Sequence, residues 1–133
     1  MKIMELAPDV GASEQISIDD LPVIVAAGYK VILNNRPDGE SPGQPDGAAI
    51  AAAAAELGLV YRYLPVTAAN FSGTDLTEVA AAFEDGPVLA FCRTGTRSAN
   101  LWVASRSSRD HAQARERARS LGYDLTMADH LLS

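Results

Sequence analysis

An internal disulfide is the first thing this chain excludes, because its 133 residues contain a single cysteine, Cys92. With no bridge available, the fold must rest on its apolar core. A cysteine-rich zinc site is excluded on the same ground. The two histidines, His111 and His130, lie far apart without a second ligand at metal spacing, so neither a metal nor a cofactor is expected. Aromatic residues make up only 6% and are not interleaved with basic ones, which argues against a stacking platform for single-stranded nucleic acid. Positive charge is in deficit as well. The formal net charge of -6 repels nucleic acid and anionic lipid alike. No apolar run approaches the ~20 residues of a membrane span. Met1-Lys2-Ile3-Met4-Glu5 opens no apolar leader, so a cytoplasmic location is the expectation.

What is present suits a soluble globular protein: 47% hydrophobic and 21% charged residues. The length fits one domain with a real core, and no linker, repeat or composition shift divides residues 1–133. The chain alternates strand and helix signals. Ile3 to Leu6 and Val10 to Ala12 read as short strands around a Pro8-Asp9 turn. Ser17 and Asp20 form a capping-box pattern for a helix that ends at Gly28. Tyr29 to Asn34 reads as a buried strand, followed by a long polar loop from Asn35 to Gly47. A helix over Ala48 to Leu57, a strand over Leu59 to Leu64 and a helix capped by Asp75 come next. Pro87 to Phe91 has the composition of a central strand, and helices are expected over Ser98–Ser105, Asp110–Leu121 and Thr126–Leu132. Strands separated by helices predict an α/β fold with a mostly parallel central sheet flanked by helices on both faces.

The chemistry concentrates in Phe91-Cys92-Arg93-Thr94-Gly95-Thr96-Arg97-Ser98, between a strand and a helix. Ligands gather beyond the carboxyl ends of parallel strands. A helix start and a glycine-containing turn there can aim several N–H groups at an anion. A thiol in such a nest is favoured as the nucleophilic thiolate. Cys92 and Arg97 are therefore the expected catalytic residues, the arginine offering a planar fork to two oxygens. Arg93, Thr94, Gly95, Thr96 and Ser98 are the expected substrate-binding residues, with Ser98 placed to hydrogen-bond the thiolate. A buried, inert cysteine would explain Cys92 alone. It would not explain two arginines, a glycine and three hydroxyls in the next six positions.

This loop resembles those of the protein tyrosine phosphatase and rhodanese superfamilies. Together with Val31-Ile32-Leu33-Asn34-Asn35-Arg36-Pro37-Asp38-Gly39-Glu40 and Tyr63-Leu64-Pro65-Val66, it resembles the phosphatase-like domain of the beta-lactamase hydrolase-like proteins. The likeness runs from about residue 3 to beyond Trp102 and implies a dual-specificity-phosphatase-like fold. It also implies either phosphatase or sulfurtransferase chemistry.

Two features favour sulfur. Four residues separate Cys92 from Arg97, as in rhodanese-like loops, where the phosphatase signature has five; Phe91 also replaces the phosphatase histidine. In addition, Pro65-Val66-Thr67-Ala68-Ala69-Asn70-Phe71-Ser72, which matches the stretch carrying the phosphatase general acid, holds no carboxylate. Asp75 reads as a helix cap, and Asp38 and Glu40 are the remaining substitutes. The expectation is a sulfurtransferase. Cys92 would take sulfane sulfur from thiosulfate or a persulfide and, lacking a second cysteine, pass it to an external small thiol. The alternatives are a phosphatase working through a Cys92 phosphocysteine, and a non-catalytic anion- or thiol-sensing module. Arg36 is expected either to add charge to the pocket or to lie exposed on its loop, and Arg93 to divide between substrate and solvent. Trp102 reads as core, and the Arg109 to Arg119 run as a solvated helix face.

Overall fold

Five strands carry the fold: β1 (Met4–Ala7), β2 (Val10–Ser13), β3 (Val31–Asn34), β4 (Val60–Tyr63) and β5 (Val88–Phe91). The computed structural model describes residues 1–132, and the strands form one sheet in the order β1-β2-β5-β3-β4. All neighbours are parallel except β1, which folds back on β2 through Pro8-Asp9. Around the sheet lie α1 (Leu21–Ala26), α2 (Gly47–Glu56), α3 (Leu76–Phe83), α4 (Thr96–Ala104), α5 (His111–Ser120) and α6 (Thr126–Leu132).

The composition of the strands explains their places. β3 and β5 are buried at every position, as befits strands covered on both faces. Successive side chains enter different layers. Val31, Leu33, Val88 and Ala90 pack with Val79, Leu101, Ala118 and Ala128 of α3 to α6. Ile32, Leu89 and Phe91 pack with Leu21, Ile24 and Ile50 of α1 and α2. β4 carries exposed residues and an Arg62–Asp85 ion pair at 2.7 Å, the charged dressing of an edge strand.

The helix starts follow local chemistry, with two differences from expectation. Ser17 N–H donates to Asp20 at 2.8 Å, but Ile18–Asp20 forms a 3₁₀ turn, and the α-helix begins only at Leu21 with Pro22 in its first turn. Asp75 caps α3, accepting the Thr77 and Glu78 N–H groups at 3.0 and 3.2 Å. α4 begins at Thr96 rather than Ser98, because Gly95 adopts φ +91° and turns the chain straight into the helix. Arg97 therefore sits in the first helical turn.

This topology creates the crevice. β3 and β5 are parallel neighbours, yet the chain leaves β3 for α2 on one face and β5 for α4 on the other. Diverging exits open a cleft at the carboxyl ends of the two strands. Asn35 N–H donates to the Phe91 carbonyl at 2.9 Å and fixes the two exits side by side.

Behind the crevice, fully buried Asn100 of α4 ties down the C-terminal segment. Its Nδ2 donates to the Thr96 and Asp124 carbonyls, both at 2.8 Å, and its Oδ1 accepts the Ala128 N–H at 2.9 Å. Replacing Asn100 by Ala strands the buried Ala128 N–H, and urea denaturation should show a loss of about 2 kcal/mol.

Candidate active site

Cys92 follows β5 directly and is fully buried. Its Sγ accepts the Gly95 N–H at 3.1 Å, so the loop closes over the sulfur. A Cβ at Gly95 would meet the Tyr123 hydroxyl at 3.0 Å and the Ser13 carbonyl oxygen at 3.3 Å, besides being strained at positive φ. Thr94 and Thr96 stand on the rim, the Thr94 hydroxyl donating to that of Thr96 at 3.0 Å. Arg93 is exposed, while its carbonyl accepts the Gln15 N–H. Phe91, standing where the phosphatases have histidine, is buried in the α1–α2 layer.

Ser98 departs from expectation. Its hydroxyl donates to Asn35 Oδ1 at 2.8 Å, which uses the only proton it could offer Cys92. Asn35 in turn donates to the Leu64 carbonyl at 2.9 Å. Ser98 thus joins α4 to the exits of β3 and β4.

Arg97 faces a carboxylate. Its Nη1 and Nη2 donate to Glu40 Oε2 and Oε1, both at 2.8 Å, and Nη1 also donates to the Val66 carbonyl at 2.9 Å. Glu40 lies on the long loop after β3, just beyond Gly39, whose φ of +76° reverses the chain. The same carboxylate accepts Arg36 Nε at 3.0 Å. Arg36 is only 4% exposed, and its remaining nitrogens donate to Gln15 and Ser41, each at 3.0 Å. Arg36 therefore reaches the same sheet edge as Cys92, but buried and turned onto Glu40 rather than open to a pocket.

The electrostatics follow from this cluster. The Arg97 hydrogen bond holds the Glu40 carboxyl below the usual carboxylate value, with Arg36 adding to the effect against partial burial. Glu40 in turn raises the Arg97 guanidinium, and the nearby Cys92 sulfur contributes to the same shift. Burial raises the Tyr123 phenol, and the neighbouring Cys92 sulfur adds to the shift. Sequence reasoning missed Tyr123 and underweighted Glu40. The other two carboxylates weighed from the sequence are engaged elsewhere: Asp38 accepts the Gly47 N–H at 2.8 Å at the start of α2, and Asp75 caps α3.

Two outcomes follow for Glu40. Replacing it by Ala leaves Arg36 buried without its counter-charge, and should cost about 2 kcal/mol in urea denaturation, a value tempered by partial exposure. Because its folded-state carboxyl titrates below the ordinary 4.5, the stability it contributes is complete above that pH and lost as pH falls through the lowered value. The stability difference between wild type and Glu40→Gln should therefore be largest near neutrality and shrink on acidification below about pH 4.5.

Comparison with known proteins places the chain. Residues 2–109 match the family described as beta-lactamase hydrolase-like protein, phosphatase-like domain. The beta-lactamase hydrolase-like protein of Xylella fastidiosa strain Temecula1 is 36% identical over 135 residues, covering 96% of this chain and 31% of its own length. The chain thus spans about a third of that relative. A candidate phosphatase from Neisseria meningitidis Z2491 superposes with a TM-score of 0.80 at 32% identity, over 98% of this chain and 96% of that one. Tk-PTP in its active form shares the fold, with a TM-score of 0.67 at 18% identity over 98% and 92% of the two chains. The resemblance drawn from the Cys92 loop is borne out, and the chain belongs to the phosphatase-like domain family of the beta-lactamase hydrolase-like proteins.

Proposed function

We propose that this chain is a cysteine-dependent phosphatase of phosphate monoesters, with Cys92 as nucleophile and Arg97 as the group that binds the phosphoryl oxygens. The observation that carries the reading is the paired contact between Arg97 and Glu40. The guanidinium beside Cys92 pairs with a two-oxygen anion at 2.8 Å through each terminal nitrogen, and its Nε–H and second Nη2–H remain for a bound oxyanion. The same contact puts a carboxyl at the Cys92 loop, the group whose apparent absence turned the sequence reading towards sulfur. Membership of a phosphatase-like family supports the same choice.

In this mechanism Cys92 Sγ attacks phosphorus, the ester P–O bond breaks, and a phosphocysteine forms. Water then attacks phosphorus, the S–P bond breaks, and thiolate and inorganic phosphate are returned. Arg93, Thr94, Gly95 and Thr96 surround the bound group, and Ser98 keeps the loop in place through Asn35.

A second reading retains sulfur transfer, favoured by the four-residue spacing from Cys92 to Arg97. There Cys92 attacks the outer sulfur of thiosulfate, sulfite leaves, and an external thiolate removes sulfur from the Cys92 persulfide.

Wild type and Cys92→Ser, each assayed with 4-nitrophenyl phosphate and with thiosulfate plus thiol, separate the two. Phosphate release should fall by about 10³-fold or more in the variant. Sulfur transfer should stay at background in both proteins. Cys92-dependent sulfur transfer without phosphate release, accompanied by a one-sulfur mass gain on wild type only, would overturn the phosphatase reading.

A further inference from the structure

The segment Glu5 to Pro8, the end of α4 and α5 border a cavity of about 470 Å³ that shares no lining residue with the Cys92 loop. That volume lies in the range of about 300–1,000 Å³ usual for small-molecule sites. Leu6, Ala7 and Pro8 from the strand side, with Trp102 and Ala114 from the helices, give it apolar walls. Arg106 and Arg117 bring two guanidinium groups to the same space.

These two cations lack counter-charges. Neither forms an ion pair among the described residues, although the chain has 17 acidic against 11 basic side chains. Arg106 Nε donates to the Trp102 carbonyl at 3.0 Å and Nη2 to the Ser105 hydroxyl at 3.2 Å, which leaves Nη1 without an acceptor among the described residues. The half-buried guanidinium lies 5.7 Å from the ring centroids of both Phe83 and Trp102. Burial lowers its proton affinity, and Glu84 and Asp110 oppose this only at longer range. Arg117 Nε and Nη2 both donate to the Glu5 carbonyl, at 3.0 and 2.7 Å, and its Nη1 is likewise unclaimed. The Trp102 indole N–H is buried without an acceptor as well. Donors along this wall thus go unmatched, which native structures rarely leave so.

The two acids of the lining face other groups. Asp110 accepts the Ser107 hydroxyl at 3.1 Å and lies 3.8 Å from Arg109. Burial raises the Tyr29 phenol and the Glu5 carboxylate adds to it, so that carboxylate faces the α1–α2 layer across the sheet.

We propose that this cavity binds a small amphipathic carboxylate, its oxygens paired with Arg106 and Arg117 and its hydrocarbon chain laid on Leu6, Pro8 and Trp102. Each part of such a ligand answers a feature of the wall. A planar two-oxygen head matches a guanidinium with an uncommitted nitrogen. The hydrocarbon chain covers apolar surface that the cavity otherwise leaves to water. A single negative charge is the match, because Asp110 borders the cavity and a net charge of -6 repels a polyanion. The site makes no use of Cys92, so it stands whichever cargo Cys92 carries.

Trp102 is the only tryptophan of the chain, so its emission reports on this wall alone. Octanoate titrated into the full chain should change that emission saturably. Butyrate, which keeps the charge and loses most of the chain, and octanamide, which keeps the chain and loses the charge, should each bind about 10-fold or more weakly. Arg106→Met and Arg117→Met should weaken octanoate several-fold and leave octanamide unchanged, a pattern that a general loss of structure would not give. Amide chemical shifts of the wild type supply a measurement that needs no variant. Octanoate should move the signals of Ala7, Ala114 and the Trp102 indole N–H, and leave those of Gly95 and Thr96 in place. No saturable change, equal affinity for octanoate and octanamide, or shifts at the Cys92 loop in place of the cavity overturns the inference. Should Arg106→Met not fold, Arg117→Met and the wild-type shifts decide the matter.

Discussion

A single carboxylate held between two guanidinium groups organises the mouth of this crevice. Glu40 neutralises Arg36, which lies almost wholly buried under the long loop, and orients Arg97 at the start of α4. A buried guanidinium is costly unless it is paired and its donors are met, and here Glu40, Gln15 and Ser41 each meet a donor on one of its three nitrogens. The loop after β3 can therefore pack against the Cys92 loop instead of projecting into water. Charge pairing, together with the hydrogen bonds of Asn35 to Phe91 and Ser98, joins these two segments.

Local features were legible because their causes are local. The continuous apolar runs of β3 and β5, the Asp75 cap and the cysteine-to-arginine loop all lie within a few residues of their partners. What escaped depends on sheet order. Glu40 and Arg97 are 57 positions apart and meet only because β3 and β5 are neighbours. Ser98 looked free to serve the sulfur until the strand exits brought Asn35 beside it. Asn100 carried no sequence signal at all, since its three partners come from its own helix and the C-terminal segment. The start of α4 was placed two residues late, because a left-handed glycine can lead directly into a helical turn.

The contest between sulfur and phosphate turns on the same geometry. A loop with four residues between Cys92 and Arg97 offers fewer amide donors than the longer phosphatase loop, and in isolation that favours a small sulfur cargo. The carboxylate opposite Arg97 works the other way. Sulfur transfer expels a good leaving group and has no use for an acid, whereas ester cleavage does. The shorter ring is compatible with phosphate where the arginine fork carries much of the anion recognition, the part it already plays towards Glu40.

The diverging exits of β3 and β5 have a further consequence for how such a domain can change. Cys92 is presented by a loop that runs on into one helical layer, and Glu40 by a loop that runs on into the other. The two meet only at the rim. Replacements at the exposed turn of the loop after β3, around Pro42 and Gly43, can therefore be made without disturbing buried Asn35 and Arg36 or the packing beneath Cys92. The scaffold thus has a ready physical route to a changed rim, in which the Cys92 loop stays constant and the facing turn is rewritten.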